Sequence, residues 1–128
     1  MFIMARIARR NVVKDVYWGL MIVAVDKNGF FKNLDGLMRF QDGGIFSKVL
    51  AKSESFNYTL ICLSKGSDID THTSTKNGCV IVLKGKGVFR LFDKDIVMEP
   101  HVFIFFPANA PHSIRADEDL SMVLCLAD

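Results

Sequence analysis

The sequence predicts an all-β fold, a sandwich or barrel of antiparallel strands, in a single domain. From residue 45 onward, short apolar runs are separated by turn signals about every 8–12 residues, which is typical of such folds. The length of 128 residues suits one domain. Half of the residues are hydrophobic, so the chain has enough apolar material for a packed core. No repeat, low-complexity tract or proline-rich linker indicates a second module.

Eight apolar runs are predicted to form the strands. The segments between them contain the Gly, Pro, Asn and Asp residues that favour turns. The runs are residues 45–51, 56–63, 79–85, 88–93, 95–99, 102–108, 112–116 and 120–127. Residues 29–44 have glycines at both ends and in the middle, and for them we predict a loop with room for one helical turn.

Residues 1–44 are predicted to be an N-terminal extension of a short strand and a loop, followed by the barrel at 45–128. Basic residues precede an apolar stretch from Val16 to Val25, an order that signal peptides also have. The stretch is shorter than the ~20 residues of a membrane span, and no small-residue cleavage site precedes Asp26. We therefore expect no membrane association. Met21 is an alternative natural start, since the residues after it resemble a short strand and a polar turn by themselves.

Charge and cysteine content exclude several classes of protein. The 16 basic and 14 acidic residues give a formal net charge of +2, well below the basic excess of a nucleic-acid-binding domain. Three cysteines without a CxxC pair predict neither a disulfide framework nor a zinc knuckle, and they suit a reducing cytoplasm. Cys62, Cys79 and Cys125 each lie in an apolar run, so we predict all three in the core. The Phe-rich run 103–106, Phe89 and Phe92 are also predicted in the core, with some of these rings lining the barrel mouth.

Three polar residues are predicted to lie at the surface. Arg90 and Arg115 are flanked in their runs by apolar residues, which must occupy the opposite face of the strand. His101 lies in the turn EPHV, where a surface position is the default.

Two segments contain the residues best suited to chemistry. His72 lies in GSDIDTHTS and His112 lies in FFPANAPHSI, about forty residues further along the chain. A small barrel can bring two such distant imidazoles into one interior.

The spacing around these histidines resembles the two sequence motifs of the cupins, a family of small conserved-barrel proteins. The resemblance covers about residues 45 to 127. The first motif is matched by Gly66, five residues, His72-Thr73-Ser74, three residues, Gly78, six residues and Gly85, and the second by Pro107, Asn109 and His112. Stand-alone cupins with His-Thr-Ser in the first motif and PANAPHS in the second are the subgroup that the chain most resembles.

The resemblance implies a jelly-roll β-barrel and a family metal site built from three imidazoles and a carboxylate. In this chain Ser74 stands in place of the second His and Gly78 in place of the Glu. Asn109 replaces a turn glycine, which is tolerable because Asn accepts a positive φ. The family's metal ligands that remain are His72 and His112. Two neutral imidazoles make a tight site only if other groups complete the shell.

Three functions follow from this partial site. The leading interpretation is a cupin that binds a small polar or anionic ligand through His72, Ser74 and His112, with no cofactor firmly implied. The alternative is a metal-dependent enzyme of isomerase or dioxygenase type, in which the two histidines hold a divalent metal ion completed by water or substrate. A third interpretation is an assembly module whose pocket is filled by its own side chains. The resemblance also implies a homodimer, in which the N-terminal segment pairs with the partner's sheet.

Overall fold

Residues 28–128, which the computed structural model describes, form nine antiparallel strands and one turn of 3-10 helix. The 3-10 turn is Leu34–Leu37, and the strands are β1 (Ile45–Lys52), β2 (Phe56–Leu63), β3 (Asp68–His72), β4 (Asn77–Lys84), β5 (Gly87–Leu91), β6 (Lys94–Met98), β7 (Phe103–Phe106), β8 (His112–Ala116) and β9 (Leu120–Ala127). The prediction of an all-β fold is therefore confirmed. The expectations for the short N-terminal strand, the Met21 start and the pairing with a partner's sheet concern residues outside the described part.

The strands form two sheets that enclose the core. The larger sheet has the order β1-β2-β9-β4-β7, and the smaller has the order β3-β8-β5-β6. Inward side chains of both sheets form one apolar cluster, which includes Ile61, Val80, Phe89, Ile114 and Met122. This enclosure of one interior by two antiparallel sheets is the arrangement expected of a jelly-roll barrel.

The strand that the apolar runs did not predict is β3. Its residues Asp68, Asp70 and Thr71 are exposed, whereas Ile69 and His72 are buried. β3 lies at the edge of the smaller sheet, where most of its side chains meet water. An edge strand of this kind lacks a continuous apolar run, so hydrophobicity alone does not reveal it.

Strand alternation places two of the three cysteines outside the core. Val80 and Leu124 point inward on β4 and β9, so their neighbours Cys79 and Cys125 point to the outer face of the larger sheet. Both are half-buried there, and the prediction of core positions for them is wrong. Cys62 is buried, as predicted.

Cys62 also points to the outer face, where the segment before β1 lies over it. Ser121, the cross-strand neighbour of Cys62, donates a hydrogen bond from Oγ to Sδ of Met38 at 3.3 Å. The backbone of Arg39 approaches the Cys62 thiol, whose pKa is raised mainly by burial. The loop before the barrel therefore covers one end of this face.

The same alternation divides β7. Ile104 and Phe106 are buried, whereas Phe103 and Phe105 are 61% and 54% exposed. The prediction that the whole run 103–106 is core is therefore wrong for these two phenylalanines, because successive side chains of a strand point to opposite faces. The core prediction is confirmed for Phe89 and wrong for Phe92, which is 59% exposed in the turn between β5 and β6.

The predicted surface residues are confirmed. Arg90 and Arg115 are exposed and pair with Asp95 at 2.8 Å and Asp117 at 3.1 Å. His101 is exposed in a turn with φ of 79°. Within the described residues, no helix has the length and hydropathy needed to cross a membrane.

Candidate functional site

The two histidines of the sequence motifs meet between β3 and β8. These strands are antiparallel neighbours, and His72 at the end of β3 is the register partner of His112 at the start of β8. Their ring centroids are 4.1 Å apart with an interplanar angle of 71°. Both side chains are nearly buried, with exposed fractions of 8% and 3%. The fold therefore joins residues that are far apart in sequence.

Each imidazole is held by a backbone carbonyl two residues earlier. Nδ1 of His72 lies 2.6 Å from the carbonyl oxygen of Asp70, and Nδ1 of His112 lies 2.8 Å from that of Ala110. A carbonyl oxygen only accepts hydrogen bonds, so Nδ1 must carry the proton in both rings. In the neutral form of each ring, Nε2 is then a hydrogen-bond acceptor.

His112 is packed among aromatic rings. The Phe89 ring is parallel to it at 5.6 Å, and the Phe106 ring lies at 4.3 Å between centroids. Burial lowers the pKa of His112, and the hydrogen bond to Ala110 opposes this only in part. A neutral His112 is therefore the dominant form at pH 7.

The two histidines line one small cavity in the barrel interior. The other lining side chains are apolar and include Ile69, Phe89 and Met122. The free volume is about 10 Å³. A cavity needs a free volume of ~10–15 Å³ to hold one water molecule, so this cavity has room for about one water.

A phenyl ring occupies the position next to Gly78, where the family motif has Glu. Gly78 on β4 and Phe106 on β7 are register partners. A Cβ atom added to Gly78 would lie 2.1 Å from Cζ of Phe106 and 2.4 Å from Cε2. No side chain fits at residue 78 while this ring stays in place.

Ser74 lies just beyond β3, in the turn to β4. It is buried, and its Oγ accepts a hydrogen bond from the backbone N–H of Lys76 at 3.0 Å. Its carbonyl oxygen accepts from the N–H of Asn109 at 2.6 Å, which ties the two motif loops together. Asn109 has a φ of 69°, as expected at a position where the motif has glycine. Ser74 is not among the side chains that line the cavity.

These residues do not fit the four-ligand metal site of the family. Ser74 provides a weak neutral ligand that is engaged in a turn, and Gly78 provides none. Across residues 28–128, no group of three or more His, Cys, Asp or Glu side chains is arranged to hold a metal ion. We therefore derive no chemistry through such a metal.

Sequence reasoning missed the part that Phe106 plays at this site. The residue was assigned to the core with the rest of its run, and it is buried. Its position next to His112 and opposite Gly78 depends on the register of β4 and β7. A glycine inside an apolar strand is the only local signal, since it often marks the close approach of another group.

Comparison with known families agrees with this architecture. The family model described as a cupin domain matches residues 59–127, more than half of the chain. The chain belongs to the cupin family. No curated protein matches it.

Several solved structures share the fold. A conserved protein of unknown function from Streptococcus pyogenes is 22% identical, with a TM-score of 0.72 over 80% of this chain and 90% of that chain. A cupin superfamily protein from Desulfitobacterium hafniense is 20% identical, with a TM-score of 0.72 over 79% of this chain and 95% of that chain. A conserved-barrel cupin protein from Leptotrichia buccalis is 30% identical, with a TM-score of 0.72 over 76% of this chain and 47% of that chain.

Proposed function

We propose that this cupin binds a small polar molecule at His72 and His112. The observation that carries the proposal is the pair of buried imidazoles on one cavity, each with Nδ1 bonded to a backbone carbonyl. In this tautomer both Nε2 atoms accept hydrogen bonds, so they suit a ligand with N–H or O–H donors. Ser74 lies outside the cavity lining, and its proposed contact with the ligand is at the edge of the site, two residues after His72.

A neutral donor suits this site better than an anion. An anion requires a protonated imidazole, and burial among Phe89 and Phe106 disfavours the charged form of His112. The free volume holds about one water molecule, so a ligand of a few heavy atoms enters only if the Phe106 ring moves.

The second candidate is the metal-dependent enzyme. Its support is that metal-ligating histidines usually donate their other ring N–H to a carbonyl or carboxylate, as both histidines do here. The argument against the enzyme is that the site supplies only two ligands. The Phe106 ring occupies the space that a Glu side chain at residue 78 would need. Elemental analysis of the native protein separates the two candidates, because the enzyme requires a stoichiometric divalent metal that is lost in His72→Gln.

The ligand proposal is tested by nuclear magnetic resonance on protein with ¹⁵N-labelled histidine at pH 7.5. The probes are acetamide and urea, which are neutral donors, and acetate, which is an anion of similar size. We expect acetamide and urea to shift the Nε2 signals of His72 and His112, while acetate does not and the exposed His101 does not respond. His72→Gln should remove the response of His112.

Each other outcome rejects part of the proposal. A stronger response to acetate than to acetamide indicates an anion site. No response of either buried histidine to any of the three probes indicates that the pocket is only filled by its own side chains, and the chain is then an assembly module.

Two features of the whole chain are also proposed. A homodimer is supported by the exposed apolar patch of Ile81, Phe103 and Phe105 on the outer face of the larger sheet, at the edge formed by β7. A reducing cytoplasmic location is supported by the three free cysteines. The division of the chain at residue 45 and the His-Thr-Ser subgroup remain predictions.

A further inference from the structure

The outer face of the larger sheet brings two cysteines together. Cys79 on β4 and Cys125 on β9 are register partners, although 46 positions separate them in sequence. Directly opposite residues on one face of an antiparallel pair have Cβ atoms ~4.5–5.5 Å apart. Both side chains therefore project from the outer face of the sheet at neighbouring positions.

A third polar group extends this cluster. Tyr58 on β2 is the register partner of Cys125 on its other side. Tyr58 is 41% exposed, and both cysteines are half-buried. The cluster of Cys79, Cys125 and Tyr58 is therefore reachable from solvent and lies on the face opposite to the histidine cavity.

We propose that Cys79 and Cys125 form a binding site for a soft monovalent metal ion of the copper(I) class, with Tyr58 at its edge. Thiolates are the ligands that select such ions, and a soft ion of this class accepts two of them. On binding, both S–H bonds break and the two protons go to the solvent. The two thiolates then donate electron pairs to the ion, which joins Sγ of Cys79 to Sγ of Cys125 without a change of oxidation state.

The usual spacing of directly opposite residues favours a bridging ion over a disulfide. A disulfide requires Cβ atoms ~3.5–4.5 Å apart, closer than cross-strand neighbours usually lie. One ion placed between the two sulfur atoms does not require the Cβ atoms to come closer than the ~4.5–5.5 Å of directly opposite residues.

The site is tested by anaerobic titration of the full chain with copper(I) against a chromophoric copper(I) chelator. We expect one copper(I) per chain, with sulfur as the scattering atom nearest to it in X-ray absorption. Cys79→Ser and Cys125→Ser should each weaken binding by more than the ~10–100-fold that loss of an outer-shell partner costs.

Two control variants distinguish this site from its competitors. Cys62→Ala removes a cysteine of the same sheet face that is covered by the loop, and should leave binding unchanged. His72→Gln/His112→Gln removes the other soft-metal candidate and should also leave it unchanged. Absence of copper(I) binding in the wild type overturns the proposal, as does binding that survives Cys79→Ser or is lost in the histidine variant.

Discussion

His112 combines a titratable ring with nearly complete burial. Its ring is stacked on Phe89 and packed against Phe106, and its Nδ1–H is bonded to Ala110. Protonation of such a residue destabilises the folded state, because its apolar surroundings favour the neutral ring over the charged one.

This link predicts a pH-dependent stability. The pKa of His112 is lower in the folded chain than the ~6.5 of an exposed histidine. Between these two values the unfolded state binds more protons, so the stability that His112 contributes is fully present above pH ~6.5. It decreases as the pH falls from there through the lower pKa of the folded state.

Urea denaturation between pH 8 and pH 5 measures this contribution. The decrease in stability of the wild type below pH ~6.5 should exceed that of His112→Gln, which has no group to titrate. Identical pH profiles for the wild type and His112→Gln contradict the prediction.

At the scale of elements, the pairing of β4 with β7 determines the shape of the cavity. Gly78 opposite Phe106 allows the phenyl ring to lie across the neighbouring strand and reach His112. Restoring the family ligands by Ser74→His and Gly78→Glu is therefore blocked unless residue 106 is also made smaller. The pairing of β4 with β7, and not the identity of residue 78 alone, therefore leaves no room for the carboxylate of the family motif.

Gly78→Ala tests this contact. The added Cβ would meet the Phe106 ring, so we expect a loss of about 1–3 kcal/mol in the free energy of unfolding, as for overpacked cores. Phe106→Val lacks the far end of the ring, and in that background Gly78→Ala should cost much less, which a double-mutant cycle measures.

Gly36→Ala is the matched control for this cycle. Nothing lies within 4 Å of a Cβ added to Gly36, so its free energy of unfolding should change by less than about 0.5 kcal/mol. If Gly78→Ala lowers the free energy of unfolding equally in the wild type and in Phe106→Val, then the Phe106 ring does not obstruct a side chain at residue 78.

At the scale of the whole molecule, the two faces of the larger sheet differ in what covers them. The inner face is closed by the smaller sheet. The outer face is covered near Cys62 by the loop that contains Met38, while Ile81 and Phe103 are exposed next to each other as register partners. This exposed patch supports the proposed homodimer.

Sedimentation velocity tests the dimer. The wild type should sediment as a dimer, and Phe103→Glu should sediment as a monomer, because a charge placed in an apolar interface is left without a partner. Phe92→Glu makes the same change at another exposed phenylalanine, in the turn between β5 and β6, and should remain dimeric. A monomeric wild type, or a dimeric Phe103→Glu, rejects this interface.

The sequence was sufficient for the fold class because apolar runs and turn residues are local signals. Eight runs matched strands, and the surface positions of Arg90 and Arg115 followed from alternation within a run. β3 was missed since an edge strand with mostly exposed side chains carries no such run. The two motif histidines were found by their spacing in the family pattern.

The sequence by itself determined which side chains are available at the site. His72 and His112 are present, and the second His and the Glu of the family motif are absent. Only the tertiary structure decided that Phe106 fills the space beside Gly78 and that Cys79 meets Cys125. The physical reason is that strand order and register are set by the packing of the whole chain. Contacts between strands that are distant in sequence have no local signal.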